Sequence, residues 1–319
     1  MSPFGTISVV MSIERSKVAI IGSGNVGSNA ALFTAMSGAA DIVLLDIVEG
    51  LAEGRALDLS QALAIIGNDT KVTGGDDFAL LAGADIVVVT AGLPRRPGMT
   101  RIDLLHKNAG IIRSATGHIK AHAAGAIVIV VTNPLDIMAH LAWRELGGPA
   151  ERVIGMGGLL DSGRFTYFLS EAAQVARAST DAVVIGSHGD EMVPVTSRAA
   201  AGGVAFADLL SDTELAQAAE SARMGGAQIV GLLKKGSAAY GPGAAISLML
   251  KSIIHDEKRV FSVCAYTRGE YGQQDIYLNL PTVLGAGGVE RIVEMDLSDT
   301  ETDALALSAQ AVRKMLKEL

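Results

Sequence analysis

Four short stretches hold residue types that could do chemistry together. His188 stands among glycines in "IGSHGDEMVP", at the end of an apolar run. Asp161 and Arg164 stand three apart in "GLLDSGRFTYFL", which places them on one face of a helix. "VVTNP" ends another apolar run on Asn133 and Pro134, and "GLPRRPGMTR" carries Arg95, Arg96 and Arg101 among prolines and glycines. Each has a plain structural alternative: a packed histidine, an ion pair on a helix surface, a turn, a solvated loop. Together they suggest one site. An imidazolium can protonate an alkoxide forming from a carbonyl near neutral pH. A carboxylate beside it would fix its tautomer and favour its charged form, and Asp161 is the candidate. Arg164 offers a two-pronged donor for the carboxylate of a 2-oxo acid. The other histidines, His106, His118, His122, His140 and His255, read as structural.

Such a reaction needs a hydride source, and "GSGNVG" provides a place for one. Gly22, Gly24 and Gly27 directly follow an apolar strand and open a helix. The motif alone is weak in a chain with 37 glycines. Its context matches the dinucleotide fingerprint: a tight turn, close backbone approach to a pyrophosphate, and helix-on-strand packing, with the helix N-terminus facing the phosphates. Asp46 closes the next strand. Its carboxylate suits the ribose hydroxyls and repels a 2′-phosphate, and the following "IVEG" contains no arginine to hold one. The cofactor expected is therefore NAD. The alternative is a glycine turn beside a solvated aspartate.

These residues need a scaffold, and the first half supplies it as alternating strands and helices. Strands are expected at 17–22, 41–46, 85–92, 126–134 and 152–157, with helices at 25–37, 102–124 and from the second strand to about residue 63. The strand runs are continuously apolar, as in parallel strands buried on both faces. Repeated strand–helix–strand units predict an α/β fold, a Rossmann-type doubly wound parallel sheet. After about residue 155 the pattern changes. A helix is expected at 159–176, strands in "AVVIGSHGDEMVPV" and "GGVAF", a helix at 211–234, strands in "RVFSVCAYT" and "YLNLPTVLG", and a closing helix ending "AVRKMLKEL". This is a mixed α+β substrate domain. The division expected is 1–155 and 156–319, with a helix near 241–256 packing back on the first domain. No Ser/Gly/Pro-rich linker separates the halves, so they are expected to pack tightly around a cleft. The first 16 or so residues read as an extension.

Composition narrows the function classes. The 319 residues include 26 Lys and Arg against 34 Asp and Glu, for a net charge of −8. No large basic face is available to release counterions from phosphates, which argues against a nucleic-acid partner. The longest apolar run, "AGAIVIVV", is strand length, far short of the roughly 20 residues of a membrane span. One cysteine, Cys264, excludes an intramolecular disulfide and fits a reducing, cytoplasmic compartment. Lacking a suitable Cys/His cluster, the chain is not expected to hold a metal.

The segments "IIGSGNVGS", "LLDIVEG", "TAGLPRRPGMTR", "VTNPLD", "GLLDSGRF", "GSHGDEMVP", "KKGSAAYGPGAA" and "GAGGVERIVEMDLS" occur in one order over nearly the whole chain. In this the chain resembles the lactate/malate dehydrogenase family, in particular its lactate-dehydrogenase-like malate dehydrogenase branch. Gly163 stands where that family often has alanine. The resemblance implies NAD-dependent interconversion of (S)-malate and oxaloacetate, a step of the tricarboxylic acid cycle, in a homodimer or homotetramer. It implies that His188 is the acid/base with Asp161 as partner and that Arg164 binds the substrate carboxylate. It further implies that Arg101 lies on a closing loop and polarises the carbonyl. Asn133 would contact substrate and nicotinamide. Arg95 would select the group on the third carbon of a dicarboxylic 2-oxo acid, with Arg96 in solvent. Cofactor contacts are implied at Gly22, Gly24, Asn25, Val26, Gly27, Asp46, Thr90, Ala91, Gly92, Asn108, Val131 and Asn133. A lactate or broad 2-hydroxy-acid dehydrogenase would share all the acid–base residues and differ at the arginine loop. A non-catalytic NAD-binding protein would keep the glycine loop but lose His188, Asp161 or Arg164. A dinucleotide-dependent glycosidase would want metal ligands.

Overall fold

The computed structural model describes residues 15–94 and 99–319. The sequence-predicted extension therefore lies outside the described residues except for its last two, and so do Arg95 and Arg96. In chain order the elements are β1 (Ser16–Ile21), α1 (Asn25–Ser37), β2 (Ala40–Leu45), α2 (Leu51–Ile65), β3 (Val72–Gly75), β4 (Ile86–Val89), α3 (Arg101–His122), β5 (Ile127–Val130), α4 (Leu135–Leu146), β6 (Val153–Gly155) and α5 (Gly158–Ala173). There follow β7 (Thr180–Asp181), β8 (Val184–Gly186), β9 (Met192–Pro194), β10 (Ala200–Ala201), β11 (Val204–Ala205), α6 (Phe206–Leu209), α7 (Asp212–Leu233), α8 (Tyr240–Ile254), β12 (Arg259–Arg268), β13 (Gln274–Gly285), β14 (Gly288–Ile292) and α9 (Asp299–Leu316).

Strands β1 to β6 form a parallel sheet in the order β3-β2-β1-β4-β5-β6. Their continuously apolar runs have a direct cause. Ala19, Ile21, Val43, Leu45, Val87, Val89, Val128 and Val130 pack with α3, α4 and α9 on one side. The alternate residues Val18, Ile20, Ile42, Leu44, Ile86, Val88, Ile127 and Ile129 pack with α1, α2 and α8 on the other. Period-2 geometry sends neighbours to opposite layers, so both must be apolar. Helix α8, from the second half of the chain, lies against α1. A Cβ on Gly243 would stand 2.8 Å from the Asn29 carbonyl carbon, so the contact is backbone to backbone.

The parallel sheet runs on into the second half. Antiparallel β12, β13, β8 and β9 extend it beyond β6. The seam is the single pair Cys264–Gly155. A Cβ on Gly155 would stand 2.6 Å from that of Cys264, so a side chain there would wedge the seam apart. Helices α5, α6 and α7 build a third apolar cluster around Phe165, Leu169, Phe206 and Ala222.

Strands β4 and β5 end earlier than the apolar runs suggest. Beyond Val89 and Val130 the Thr90, Ala91 and Val131 N–H groups still bond to backbone carbonyls, and threonine hydroxyls add further bonds across the loops. Thr90 Oγ1 donates to the Gly22 carbonyl at 2.8 Å, and Thr132 Oγ1 donates to that of Ala91 at 2.6 Å. These bonds turn the chain away from the ladder and form loops at the carboxyl ends of the strands, where such sheets bind ligands. Periodicity gives no bounds for several elements, among them the edge strand β3, the helix α4 behind Pro134, the short β7, β10 and α6, and β14.

Candidate active site

The first turn of α5 carries Asp161, which is 1% exposed. Its Oδ2 lies 2.6 Å from His188 Nδ1, and its Oδ1 accepts from Arg164 Nη1 at 3.0 Å. One buried carboxylate thus binds both partners, each 16% exposed at the side chain. Burial opposes a charge on the His188 ring. The Asp161 carboxylate, by charge and hydrogen bond, and the Asp136 charge outweigh this and hold the His188 pKa above its ordinary value, against a smaller opposing push from Arg164. With Nδ1 engaged by Asp161, Nε2 is the ring atom left to exchange a proton.

Glycines make room for this arrangement. A Cβ on Gly157 would stand 3.1 Å from the His188 Cβ, and one on Gly158 would stand 2.1 Å from Ser262 Oγ. The start of α5 can therefore press against the His188 loop and the β12–β13 hairpin. Arg164 lies over a second glycine pair in α7. A Cβ on Gly225 would stand 3.3 Å from its Cδ, and one on Gly226 would stand 3.4 Å from its Nη2. Two glycines inside a helix cost stability relative to alanine, and here they give the guanidinium a flat floor.

Behind His188 is a polar group to which the sequence reading assigns no role. Asp136, in the first turn of α4, accepts from the His188 backbone N–H at 3.0 Å through Oδ2. Its Oδ1 accepts from Asn279 Nδ2 at 3.2 Å and from Cys264 Sγ at 3.3 Å. Asn279 also donates to the Gly186 carbonyl and accepts from Gly158 N–H. Burial pushes the Asp136 pKa up to about 6 even though its hydrogen bonds and the His188 charge pull it down. The signals were there: an acid just after Pro134, and a lone amide in the apolar run "YLNLPTV". Buried polar atoms in such places need partners.

The glycine loop lies at the carboxyl ends of β1 and β2. Gly22 has φ +104°, and a Cβ there would stand 2.6 Å from Ala91 N. A Cβ on Gly27 would stand 2.0 Å from the Gly22 carbonyl oxygen. Gly24 is exposed, and its missing Cβ would meet nothing within 4 Å. The loop is thus packed on its protein side and open on the other, where Gly24, Asn25, Val26 and Gly27 begin α1. The first N–H groups of a helix have no intrahelical partners and suit an anion. The Asp46 carboxylate accepts from Ser23 N–H at 2.7 Å and Val48 N–H at 3.1 Å, which fixes it beside the loop. An open backbone approach next to a fixed carboxylate fits the phosphates and ribose of a dinucleotide.

The remaining sequence-predicted residues are distributed around these groups. Ala91, Gly92 and Val131 follow β4 and β5 at the same sheet edge as Thr90. Asn108 is 1% exposed, so it acts through the backbones it holds. It donates to the Asn133 carbonyl at 2.6 Å and accepts from Leu93 N–H at 2.8 Å. Asn133 is exposed, three residues before Asp136. Arg101 opens α3 behind the Thr100–Asp103 capping box and is ion-paired with Asp190, two residues past His188. His188 and Arg164 thus both contact Asp161, while Asn133 lies three residues before Asp136 in sequence and Arg101 is held on the His188 loop by Asp190. Arg95 lies outside the described residues. Among the described residues no group of three or more His, Cys, Asp or Glu is placed to hold a metal ion, and no helix is long and apolar enough to cross a membrane.

Residues 16–155 match the lactate/malate dehydrogenase NAD binding domain, and residues 159–319 match the alpha/beta C-terminal domain of the same family. The chain is 44% identical over 307 residues to a malate dehydrogenase of Desulforudis audaxviator, covering 96% of this chain and 99% of that one. The solved structure of Cryptosporidium parvum malate dehydrogenase superposes with a TM-score of 0.93 at 37% identity, over 96% of this chain and 99% of that one. The lactate dehydrogenase of the same organism, solved with lactic acid and nicotinamide adenine dinucleotide, also gives 0.93 at 37% identity, over 96% and 98%. The chain belongs to the lactate/malate dehydrogenase family.

Proposed function

We propose that this chain is an NAD-dependent malate dehydrogenase that interconverts (S)-malate and oxaloacetate. The observation that carries the reading is the shared carboxylate of Asp161, which binds His188 Nδ1 on one oxygen and Arg164 Nη1 on the other. An acid/base and a carboxylate-binding cation are thereby held in fixed relation. Gly22 to Gly27, Asp46 and the loop from Thr90 to Gly92 would hold the dinucleotide, which when bound supplies or accepts the hydride. His188 Nε2 gives a proton to the carbonyl oxygen in reduction and removes it from the hydroxyl in oxidation. Asp161 stabilises the imidazolium in both directions. Arg164 fixes the carboxylate next to the reacting carbon. Arg101 would add positive charge at the carbonyl oxygen once its bond to Asp190 is exchanged for one to substrate. Residues 1–155 form the cofactor half and 156–319 the substrate half in this reading. A cytoplasmic homo-oligomer working in the tricarboxylic acid cycle is the setting we infer.

The second reading is a lactate dehydrogenase, since relatives of both names share this fold. Arg95 favours the first. Oxaloacetate has a second carboxylate that needs a cation, whereas the methyl of pyruvate would leave Arg95 unpaired in a closed site. NADH oxidation measured with oxaloacetate beside pyruvate tests the choice. A preference for oxaloacetate on the order of 10³ or more in kcat/KM is expected. Arg95→Gln should reduce that ratio, while Arg96→Gln, the control, should not. A wild-type enzyme that prefers pyruvate overturns the reading.

A further inference from the structure

Three donors converge on Asp136: the His188 backbone N–H, the Asn279 amide and the Cys264 thiol. Only an acceptor with two oxygens suits all three, and a carboxylate is one. Yet Asp136 is 5% exposed and has no arginine or lysine among these partners. A buried carboxylate without a cation is expensive, and packing alone does not call for it. The positive charge that acts on the Asp136 carboxylate is that of the His188 imidazole.

We propose that Asp136 is a positioning residue for the acid–base step, fixing the His188 backbone and placing a second negative charge behind its imidazole. The inference rests on reading His188 as the acid/base. Asn279 completes the unit. It bonds Gly158 N–H, three residues before Asp161, and the Gly186 carbonyl, two residues before His188. It therefore ties together the two segments whose side chains meet at 2.6 Å. Asp136 and Asn279 act through His188 and Asp161, and neither needs to touch substrate.

The charges facing His188 can be followed element by element. From α5 come the Asp161 carboxylate and the Arg164 guanidinium, and from α4 comes Asp136. The Cys264 thiol on β12 faces Asp136, and burial and that carboxylate keep it neutral by pushing its pKa far up. On the loop of His188 itself, Asp190 is paired with Arg101. Removing the Asp136 charge should therefore lower the His188 pKa. Removing the Asn279 amide should loosen geometry with both carboxylates still in place.

The test is the pH dependence of kcat/KM in both directions for the full-length wild type, Asp136→Asn and Asn279→Ala, with NADH affinity measured alongside. In Asp136→Asn both the falling limb of oxaloacetate reduction and the rising limb of malate oxidation should move to lower pH, by about half a unit or more. In Asn279→Ala the rate should fall about tenfold or more with the limbs moved less than in Asp136→Asn, since both carboxylates keep their charge and misplacement by an ångström can cost that much and more. A uniform loss of rate in Asp136→Asn with unmoved limbs overturns the inference. If that variant does not fold, isotope-labelled histidine in the wild type serves instead. The His188 ring signal, assigned with His188→Asn, should show a second inflection near pH 6 as Asp136 takes up a proton. A single inflection overturns the inference. Full activity in His188→Asn would instead sink the acid–base reading itself, so the two failures are distinguishable.

Discussion

Arg101 and Asp190 form an ion pair across the mouth of the site, joining the first residue of α3 to the loop of His188. Both side chains are well exposed, at 58% and 77%. Such pairs contribute at most about 1 kcal/mol to stability. Asp190→Asn should therefore leave the thermal midpoint nearly unchanged. Arg101→Gln should also leave the midpoint alone but lower kcat strongly, because the charge at the carbonyl is needed only in the transition state. Thermal melts beside steady-state kinetics check this. Equal small effects of the two substitutions on kcat would remove Arg101 from the chemistry.

His188→Asn and Asp161→Asn address the shared carboxylate. General acid–base catalysis contributes about 10²–10⁴-fold, so His188→Asn should lose rate on that scale while NADH binding, which rests on the glycine loop and Asp46, persists. Asp161→Asn should do more than slow the reaction. It also removes the partner of Arg164, so KM for oxaloacetate should rise together with the loss of kcat. Fluorescence titration with NADH and saturation kinetics separate these effects. A His188→Asn enzyme that keeps a tenth of its activity would place the proton donor elsewhere.

The raised pKa of His188 sets a pH dependence with a definite sign. Oxaloacetate reduction needs the protonated ring, so its rate should persist above the ordinary histidine pKa of about 6.5 and fall as pH rises through the folded value. Malate oxidation needs the neutral ring and should rise over the same interval. The stability linkage has the same origin. A group with a raised folded pKa stabilises the fold fully below its unfolded pKa and loses that contribution as pH rises through the folded one. Asp161→Asn should shift both kinetic limbs to lower pH, because Asp161 is the largest of the influences raising this pKa. Rate profiles in both directions over that range decide the point.

How legible each part was in the sequence depends on how local its cause is. The strand–glycine–helix unit at Gly22–Gly27 could be read directly, since turn, approach and packing all lie within one short segment. The apolar strand runs were equally plain, because burial on both faces leaves no alternation to misread. Asp161 and Arg164 could be placed on one helix face by spacing. Their meeting with His188, 27 residues beyond Asp161, could be expected only through the chemistry and the family resemblance. Asp136 and Asn279 offer only weak local hints, an acid near Pro134 and an amide in an apolar run. They are 143 residues apart, and each looks ordinary until the chain folds: a helix acid and a strand amide. Where β4 and β5 end was missed for a related reason. Thr90 and Thr132 favour strands, but their hydroxyls bond to backbone across loops that exist only in the folded sheet.

The glycines of the fingerprint offer a way to separate fold from cofactor binding within six residues. Gly27 has its missing Cβ 2.0 Å from the Gly22 carbonyl oxygen, and Gly22 combines φ +104° with a 2.6 Å approach to Ala91 N. Alanine at either position must push backbone apart, which in packed interiors costs about 1–3 kcal/mol. At about 2–4 °C per kcal/mol for a large domain, Gly27→Ala should lower the thermal midpoint by several degrees. NADH affinity should suffer with it, because the loop itself is displaced. Gly24 differs. It is exposed, lies outside the left-handed region at φ −67°, and meets nothing within 4 Å. Gly24→Ala should fold with an unchanged midpoint. The added methyl would project into the open approach to the loop, so NADH affinity should fall while the apo protein stays as stable as before. Adding NADH should then raise the midpoint less than in the wild type, since a ligand stabilises in proportion to the logarithm of its concentration over Kd. Paired thermal melts with and without NADH test both positions. If Gly24→Ala binds NADH as tightly as the wild type, the dinucleotide does not approach the loop at Gly24. If Gly27→Ala melts with the wild type, the contact of α1 with the Gly22 turn is softer than its geometry requires.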